Sequence, residues 1–352
     1  MRSLRLPIIA SLLAVVGFLV PVASATTGPT YAPLGRPGPA LDVPAATMAA
    51  ALTCHGSPTS AGEPVLLSPG TSVTAAQNFS WNYERAFTAQ RRYWCAVSPP
   101  FHTLGDIQVA AEYIVYAIRM MHHASGKRIA VLGHSQGGMS MRWGLRFWPD
   151  TRAMVDDIIG MAGDNHGTTG IPGCIAGLTT CMPSIWQQGA TANFIKALNS
   201  GTETFAGISY TEIFSHNDEV VTPSTNNTVA SSALHTGAGA ITNIATQAIC
   251  PLDPDEHLTV GTIDPVTYAL VMDALTHAGA ANPSRINRAV CGTLYMPYVD
   301  PTNVGMYLSI LEAAPNLATV SIPNLSFAGA PLLAKEPALR CYVYAVHPAG
   351  CP

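Results

Sequence analysis

The sequence predicts an α/β domain: a mostly parallel sheet covered by helices on both faces. Strands and helices alternate from about residue 65 to residue 277, and that order builds a parallel sheet with helical crossovers. Apolar residues make up 48% of the 352-residue chain and charged residues 11%, a composition that suits a large buried core. A third observation narrows the class. Gly133-His134-Ser135-Gln136-Gly137 follows the apolar run Arg128-Ile129-Ala130-Val131-Leu132 and leads into a helical pattern. Strand, Gly-x-Ser-x-Gly, helix is the context in which a tight turn lifts a serine hydroxyl out of a sheet and onto a helix N-terminus.

The elements follow in order. Residues 26–45 are rich in Pro, Gly, Thr and Ala and read as a linker or loosely packed lead-in. Val65-Leu66-Leu67 is a short buried strand ending at Pro69-Gly70-Thr71. Residues 82–92 are expected to be helical, 93–97 extended, and 106–123 a long helix apolar on most faces. A strand at 128–132 precedes the serine turn, and a helix at 136–147 follows it. Residues 153–161 form a strand, 183–199 a helix, 207–214 and 240–249 strands, and 265–277 a helix. Beyond about residue 280 the pattern is irregular and proline-rich.

The N-terminus reads as a secretory leader, residues 1–25. Arg2 and Arg5 supply its charge, residues 8–20 its apolar stretch, and Ala23-Ser24-Ala25 a small-x-small cleavage site. An uncleaved anchor is the rival; Pro21 and the small residues favour cleavage. With no second long apolar run, the mature chain is expected to stay out of the membrane, as a secreted monomer. The lead-in at 26–45 would then precede a single catalytic domain, 46–352, with a lid-like segment at about 165–184. The formal charge of −4, without a cluster of Lys and Arg, gives nucleic acid nothing to neutralise.

Eight cysteines in an exported chain favour disulfides. Roughly a hundred connectivities are open; nearest-neighbour pairing gives Cys54–Cys95, Cys174–Cys181, Cys250–Cys291 and Cys341–Cys351. No C-x-x-C pair supports a metal site. Cys174 and Cys181 bracket a small uncharged loop, either a pocket rim or a stapled surface loop.

A serine hydroxyl needs a base to take its proton, and the base needs an orienting acid. In α/β-hydrolases these follow in the order Ser, acid, His. Asp218 leaves the strand that ends at Phe214 and is the expected acid, with Glu219 as its alternative. His257 follows the next strand and is the expected base. His277, His235 and His216 are weaker candidates, each with a surface or capping role as the default. The oxyanion hole needs two donors: the backbone N–H of Gln136, and Thr71, whose loop otherwise reads as a plain β-turn.

The blocks Leu52-Thr53-Cys54, Leu66-Leu67-Ser68-Pro69-Gly70-Thr71, Ser98-Pro99-Pro100-Phe101, Gln108-Val109, Glu112-Tyr113, Ser135-Gln136-Gly137-Gly138, Trp143-Gly144-Leu145, Pro183-Ser184-Ile185-Trp186-Gln187-Gln188 and Asp218-Glu219-Val220 occur in this order. In them the chain resembles the Candida antarctica lipase B family of α/β-hydrolases, over about residues 52–291. The resemblance implies a triad of Ser135, Asp218 and His257, and oxyanion donors Thr71 and Gln136. It implies Asp164 and Gln188 as polar groups on the acyl side of the pocket, the pairs Cys54–Cys95 and Cys250–Cys291, and no metal or organic cofactor. His134 stands where the family's type member has the tryptophan that floors the alcohol pocket, so alcohol preference is expected to differ. The Cys174–Cys181 staple is extra, and the tail after about residue 300 hardly matches.

The expected activity is secreted ester hydrolysis through an acyl-enzyme, with a triacylglycerol or other lipid ester as substrate, met at a lipid–water interface. Within that class the rivals are a short-chain esterase, a polyester hydrolase and an acyltransferase. Outside it, the rival is a non-catalytic secreted binding protein on the same scaffold.

Overall fold

The structure is a computed structural model that describes residues 29–170, 174–300, 302 and 328–351. The expected leader at 1–25 lies outside the described residues. Seven strands form one sheet: β1 (Leu52–His55), β2 (Val65–Ser68), β3 (Trp94–Val97), β4 (Ile129–His134), β5 (Val155–Met161), β6 (Ser209–Phe214) and β7 (Ala240–Ala245). Their order across the sheet is β1-β3-β2-β4-β5-β6-β7, and every neighbouring pair is parallel except β1 with β3. The helices are α1 (Ala45–Ala50), α2 (Ala75–Phe79), α3 (Tyr83–Ala89), α4 (Ile107–Ser125), α5 (Gln136–Phe147), α6 (Pro183–Gln187), α7 (Asn193–Leu198), α8 (His257–Val260) and α9 (Pro265–Thr276). This is the α/β-hydrolase arrangement the serine turn predicts.

The central strands β2 and β4 read as nearly continuous apolar runs because helices cover both faces. Alternate side chains go to opposite layers. Val65, Leu67, Ala130, Leu132, Ile159 and Met161 pack with Phe79, Phe87 and Leu270 on one face. Leu66, Ile129, Val131 and Ile158 pack with Ile114, Ile118, Met121 and Leu145 on the other. Local chemistry sets the helix limits. The Asp106 carboxylate accepts the Gln108 N–H to open α4, and Gly126, at φ 66°, closes it. Asp264 caps α9, with Pro265 in its first turn.

The structure departs from the sequence reading in four places. The helix expected over 183–199 is two: Gln188 and Ala190 exchange backbone hydrogen bonds with Thr168, which interrupts the helical ladder between α6 and α7. The strand expected to reach residue 249 stops at Ala245 and turns into a short 3-10 segment, Thr246–Ala248. The described part of the lead-in is not loose. Ala32 is buried and its N–H meets the Val343 carbonyl, while the Arg36 guanidinium donates to the carbonyls of Tyr344 and Ala345. A second long apolar run does exist, at residues 257–276, long and apolar enough by composition to cross a membrane. It is 72% buried within the protein and broken between α8 and α9.

Disulfides join Cys54–Cys95, Cys174–Cys181, Cys250–Cys291 and Cys341–Cys351. The first links directly opposed residues of edge strand β1 and β3, closing a loop whose ends lie 41 residues apart. Replacing both cysteines by alanine is expected to cost about 2–4 kcal/mol, because the unfolded chain regains the entropy of that loop. Urea unfolding under non-oxidising conditions should show a lower midpoint in the variant than in the disulfide-intact parent.

Candidate active site

Ser135 sits between β4 and α5 with φ 53° and ψ −126°, a conformation that costs a non-glycine residue energy. The surroundings enforce it. The Ser135 N–H bonds to the Met161 carbonyl at 2.9 Å, and its own carbonyl takes the Gly138 N–H at 2.9 Å. A Cβ at Gly137 would lie 2.1 Å from the Ser68 carbonyl oxygen, and one at Gly133 2.4 Å from the Gly137 carbonyl carbon. Only hydrogen fits at either position, so the chain can fold back on itself there.

The turn presents Ser135 Oγ to His257 Nε2 at 3.0 Å, and His257 Nδ1 meets Asp218 Oδ2 at 2.9 Å. The other carboxylate oxygen of Asp218 accepts the N–H groups of Val220 and Val221 at 2.9 and 2.7 Å. Asp218 lies in the loop after β6, and His257 opens α8, which Glu256 caps. The two loops are braced together: Ser215 Oγ donates to the Asp255 carbonyl, and the amides of Asn217 and Gln247 both donate to the Asp253 carbonyl. The alternatives lie elsewhere. His277, half-exposed, pairs with Asp273 at the end of α9. His235 is exposed and stacks on His166, and His216 and Glu219 are exposed beside the acid.

Burial pulls the His257 imidazole down, but the charge and hydrogen bond of Asp218, with Glu219 and Glu256 further off, outweigh it and leave the pKa above the ordinary 6.5. His134 goes the other way. Burial and the neighbouring His257 hold it down to about 3, against the pull of its hydrogen bond to the His257 main chain and of Asp218. Burial lifts Asp164 to about 7, helped by Asp218 and opposed by its own backbone N–H and by His257. Neither Asp164 carboxylate oxygen meets a donor from another described residue.

Thr71 Oγ1 lies 2.9 Å from Gln136 Oε1 and 3.0 Å from Gln188 Oε1. Gln188 Nε2 in turn reaches Gln136 Oε1 at 3.3 Å and the Ser184 carbonyl at 3.0 Å. Thr71, Gln136 and Gln188 therefore converge beside Ser135, and the backbone N–H of Gln136, first in α5, has no acceptor within the helix by position. Two residues that the sequence reading missed support this wall. Thr103 donates to the Gly70 carbonyl at 2.7 Å and its carbonyl accepts from Gln136 Nε2 at 3.0 Å. Asn78 Oδ1 accepts the Gly70 N–H at 3.0 Å. Thr103 is the last of three consecutive positive-φ residues, Phe101, His102 and Thr103; the sequence offered only Gly105 and the preceding prolines as a sign of irregular backbone.

Asp164 follows β5 on a loop held from below. Arg142, buried, donates to the side chains of Asn165 and Asn199 at 3.1 and 2.9 Å. Glu203, held ionised by its hydrogen bonds, supplies the opposing charge that keeps this interior guanidinium from being isolated. On the far side of the loop, Cys181 exchanges backbone hydrogen bonds with Leu333 at 2.9 and 2.8 Å, while Ile175 and Leu178 are exposed.

A parallel sheet whose central strand delivers a strained serine to a histidine and a carboxylate is the arrangement of an α/β-hydrolase. The comparisons narrow that class. Over 251 residues the chain is 36% identical to lipase B of Pseudozyma antarctica, a match covering 70% of this chain and 72% of that protein. The solved structure of Aspergillus fumigatus lipase B superposes with a TM-score of 0.75 at 31% identity, covering 88% of this chain and 74% of that one. No family model matches the sequence. The chain belongs to the lipase B family and is a lipase-type carboxylic-ester hydrolase.

The crowding at the turn gives a direct test. Gly137→Ala must push β2 and α5 apart and is expected to lower stability by about 1–3 kcal/mol. A fall in the urea midpoint should accompany slower labelling of Ser135 by a fluorophosphonate.

Proposed function

We propose that Ser135, His257 and Asp218 are the catalytic triad and that the enzyme hydrolyses carboxylic esters through an acyl-enzyme. The observation that carries this reading is the continuous chain from Ser135 Oγ through the imidazole to Asp218, 3.0 and 2.9 Å long at its two links. Ser135 Oγ attacks the ester carbonyl carbon while its proton passes to His257 Nε2. The oxyanion that forms is met by the N–H of Gln136 and by Thr71, whose hydroxyl turns from the two glutamine carbonyls toward the substrate. Collapse expels the alcohol, which takes the proton from Nε2, and leaves the acyl group on Ser135. Water then attacks under the same base, and the acid is released. Asp218 holds Nδ1–H and stabilises the imidazolium formed in each step.

A long-chain ester, a triacylglycerol above all, is the substrate we infer, with Asp164 and Gln188 on the acyl side and His134 near the alcohol side. The leader-like N-terminus and four disulfides support secretion. Hydrolysis of triglyceride emulsions and of long-chain nitrophenyl esters is the expected result. Activity restricted to acetate and butyrate would replace the lipase reading with a short-chain esterase.

Ser135→Ala is expected to abolish fluorophosphonate labelling and to lower kcat by a factor on the order of 10⁴–10⁶. A folded parent that does not label would instead indicate a binding protein. The base works only when neutral, so kcat/KM should fall as pH drops through the raised His257 pKa, an acid limb above 6.5. In Asp218→Asn that limb should move to lower pH, because the charge that raises it is gone, and the plateau should drop roughly 10⁴-fold. An unmoved limb would take Asp218 out of the triad.

A further inference from the structure

His134 adjoins the serine in sequence, yet its contacts lead to the base. Its Nε2 lies 3.1 Å from the main-chain carbonyl of His257, and its Nδ1 3.1 Å from Asn78 Oδ1. Asn78 Oδ1 also accepts the Gly70 N–H, one residue before Thr71. The ring stands 5.2 Å from the His257 ring and is packed from two sides. A Cβ at Gly261 would fall 2.1 Å from His134 Cδ2, and one at Gly70 3.4 Å from Nδ1. His134 and Asn78 are both buried.

We propose that His134 is a positioning residue: its buried ring, packed between Gly70 and Gly261, is a strut whose Nε2–H holds the main-chain carbonyl of His257, fixing the base against Ser135 Oγ. The inference rests on the triad reading above. A carbonyl only accepts, so the contact to His257 requires the imidazole proton on Nε2. The neutral ring then has a lone pair on Nδ1 facing Asn78 Oδ1, which already accepts the Gly70 N–H, so that contact is packing and not a hydrogen bond. The single proton serves one of the two acceptors, and the Nε2–H form spends it on the base. The alignment it protects is sensitive, since a displacement near 1 Å at a reacting pair costs roughly 100-fold in rate.

The test separates positioning from a pocket wall and from simple packing. His134→Leu fills the space without a donor. His134→Asn keeps polarity but is too short to reach the His257 carbonyl. His134→Gln places an N–H donor on a longer stem. Leu and Asn are expected to lower kcat roughly 10–100-fold with KM within about threefold, on methyl and bulky-alcohol esters alike, and to slow fluorophosphonate labelling in parallel. Gln should recover most of the rate. Parental kcat in folded Leu or Asn variants overturns the proposal, as does a loss confined to bulky alcohols, which would make His134 a wall. Equal losses in all three variants, Gln included, also overturn it. If Ser135→Ala still labels, the triad reading itself has failed; if the triad variants behave as expected and the His134 variants do not, only the strut is wrong.

Discussion

The fold turns on a steric constraint: at the end of the central strand there is no room for a side chain. Gly133 and Gly137 lie so close to each other and to the Ser68 carbonyl that a Cβ at either would collide with backbone. That closeness lets α5 begin one residue after β4 ends and forces Ser135 into a positive φ. The strain is confined to one residue and is held by backbone hydrogen bonds to β5 and to the first turn of α5. Because β2, β4 and β5 all touch this turn, the sheet order decides which loops surround Ser135: the Gly70–Thr71 turn after β2 and the Asp164 loop after β5.

Around that point the protein places buried polar groups and supplies each with partners of a different kind. Asp218 is held by backbone N–H donors and by His257. Arg142 is held by asparagine carbonyls and by the carboxylate of Glu203. Asp164 has both carboxylate oxygens without a donor from another described residue, and its raised pKa is the electrostatic counterpart of that isolation. Three ionisable groups within one site, His257, His134 and Asp164, are thus displaced from their ordinary values in three distinct ways, by charge pairing, by burial beside a like neighbour, and by burial without a partner.

Much of this was legible in the sequence, because the signals were local. Strands β2 and β4, buried on both faces, are largely apolar runs; the serine turn has its glycines at fixed offsets; and Asp218 and His257 follow their strands in the expected chain order. What escaped was non-local. Strand β1 is largely exposed and owes its place to antiparallel pairing with β3, so neither alternation nor hydrophobicity marks it. The break between α6 and α7 comes from Thr168, some twenty residues upstream, taking over the backbone bonds of Gln188 and Ala190. Asn78 and Thr103 look like ordinary polar residues until the sheet brings the Gly70–Thr71 turn between them. The lead-in composition described its lack of regular structure correctly but not its packing, which depends on residues 343–345.

Those last contacts bear on how the protein is made. Tyr31 pairs with Tyr344, and Cys181 with Leu333, so two segments are completed by residues far downstream of them in the chain. Among the described residues the central sheet contains nothing beyond Ala245 and is available to form first. The described start of the domain and the Cys174–Cys181 staple must wait for residues 333 and 344. Maturation is therefore ordered by position along the chain: sheet and elbow early, the surrounding surface last. A ribosome that stalls before residue 333 would leave a molecule with its core sheet encoded but its outer wall open.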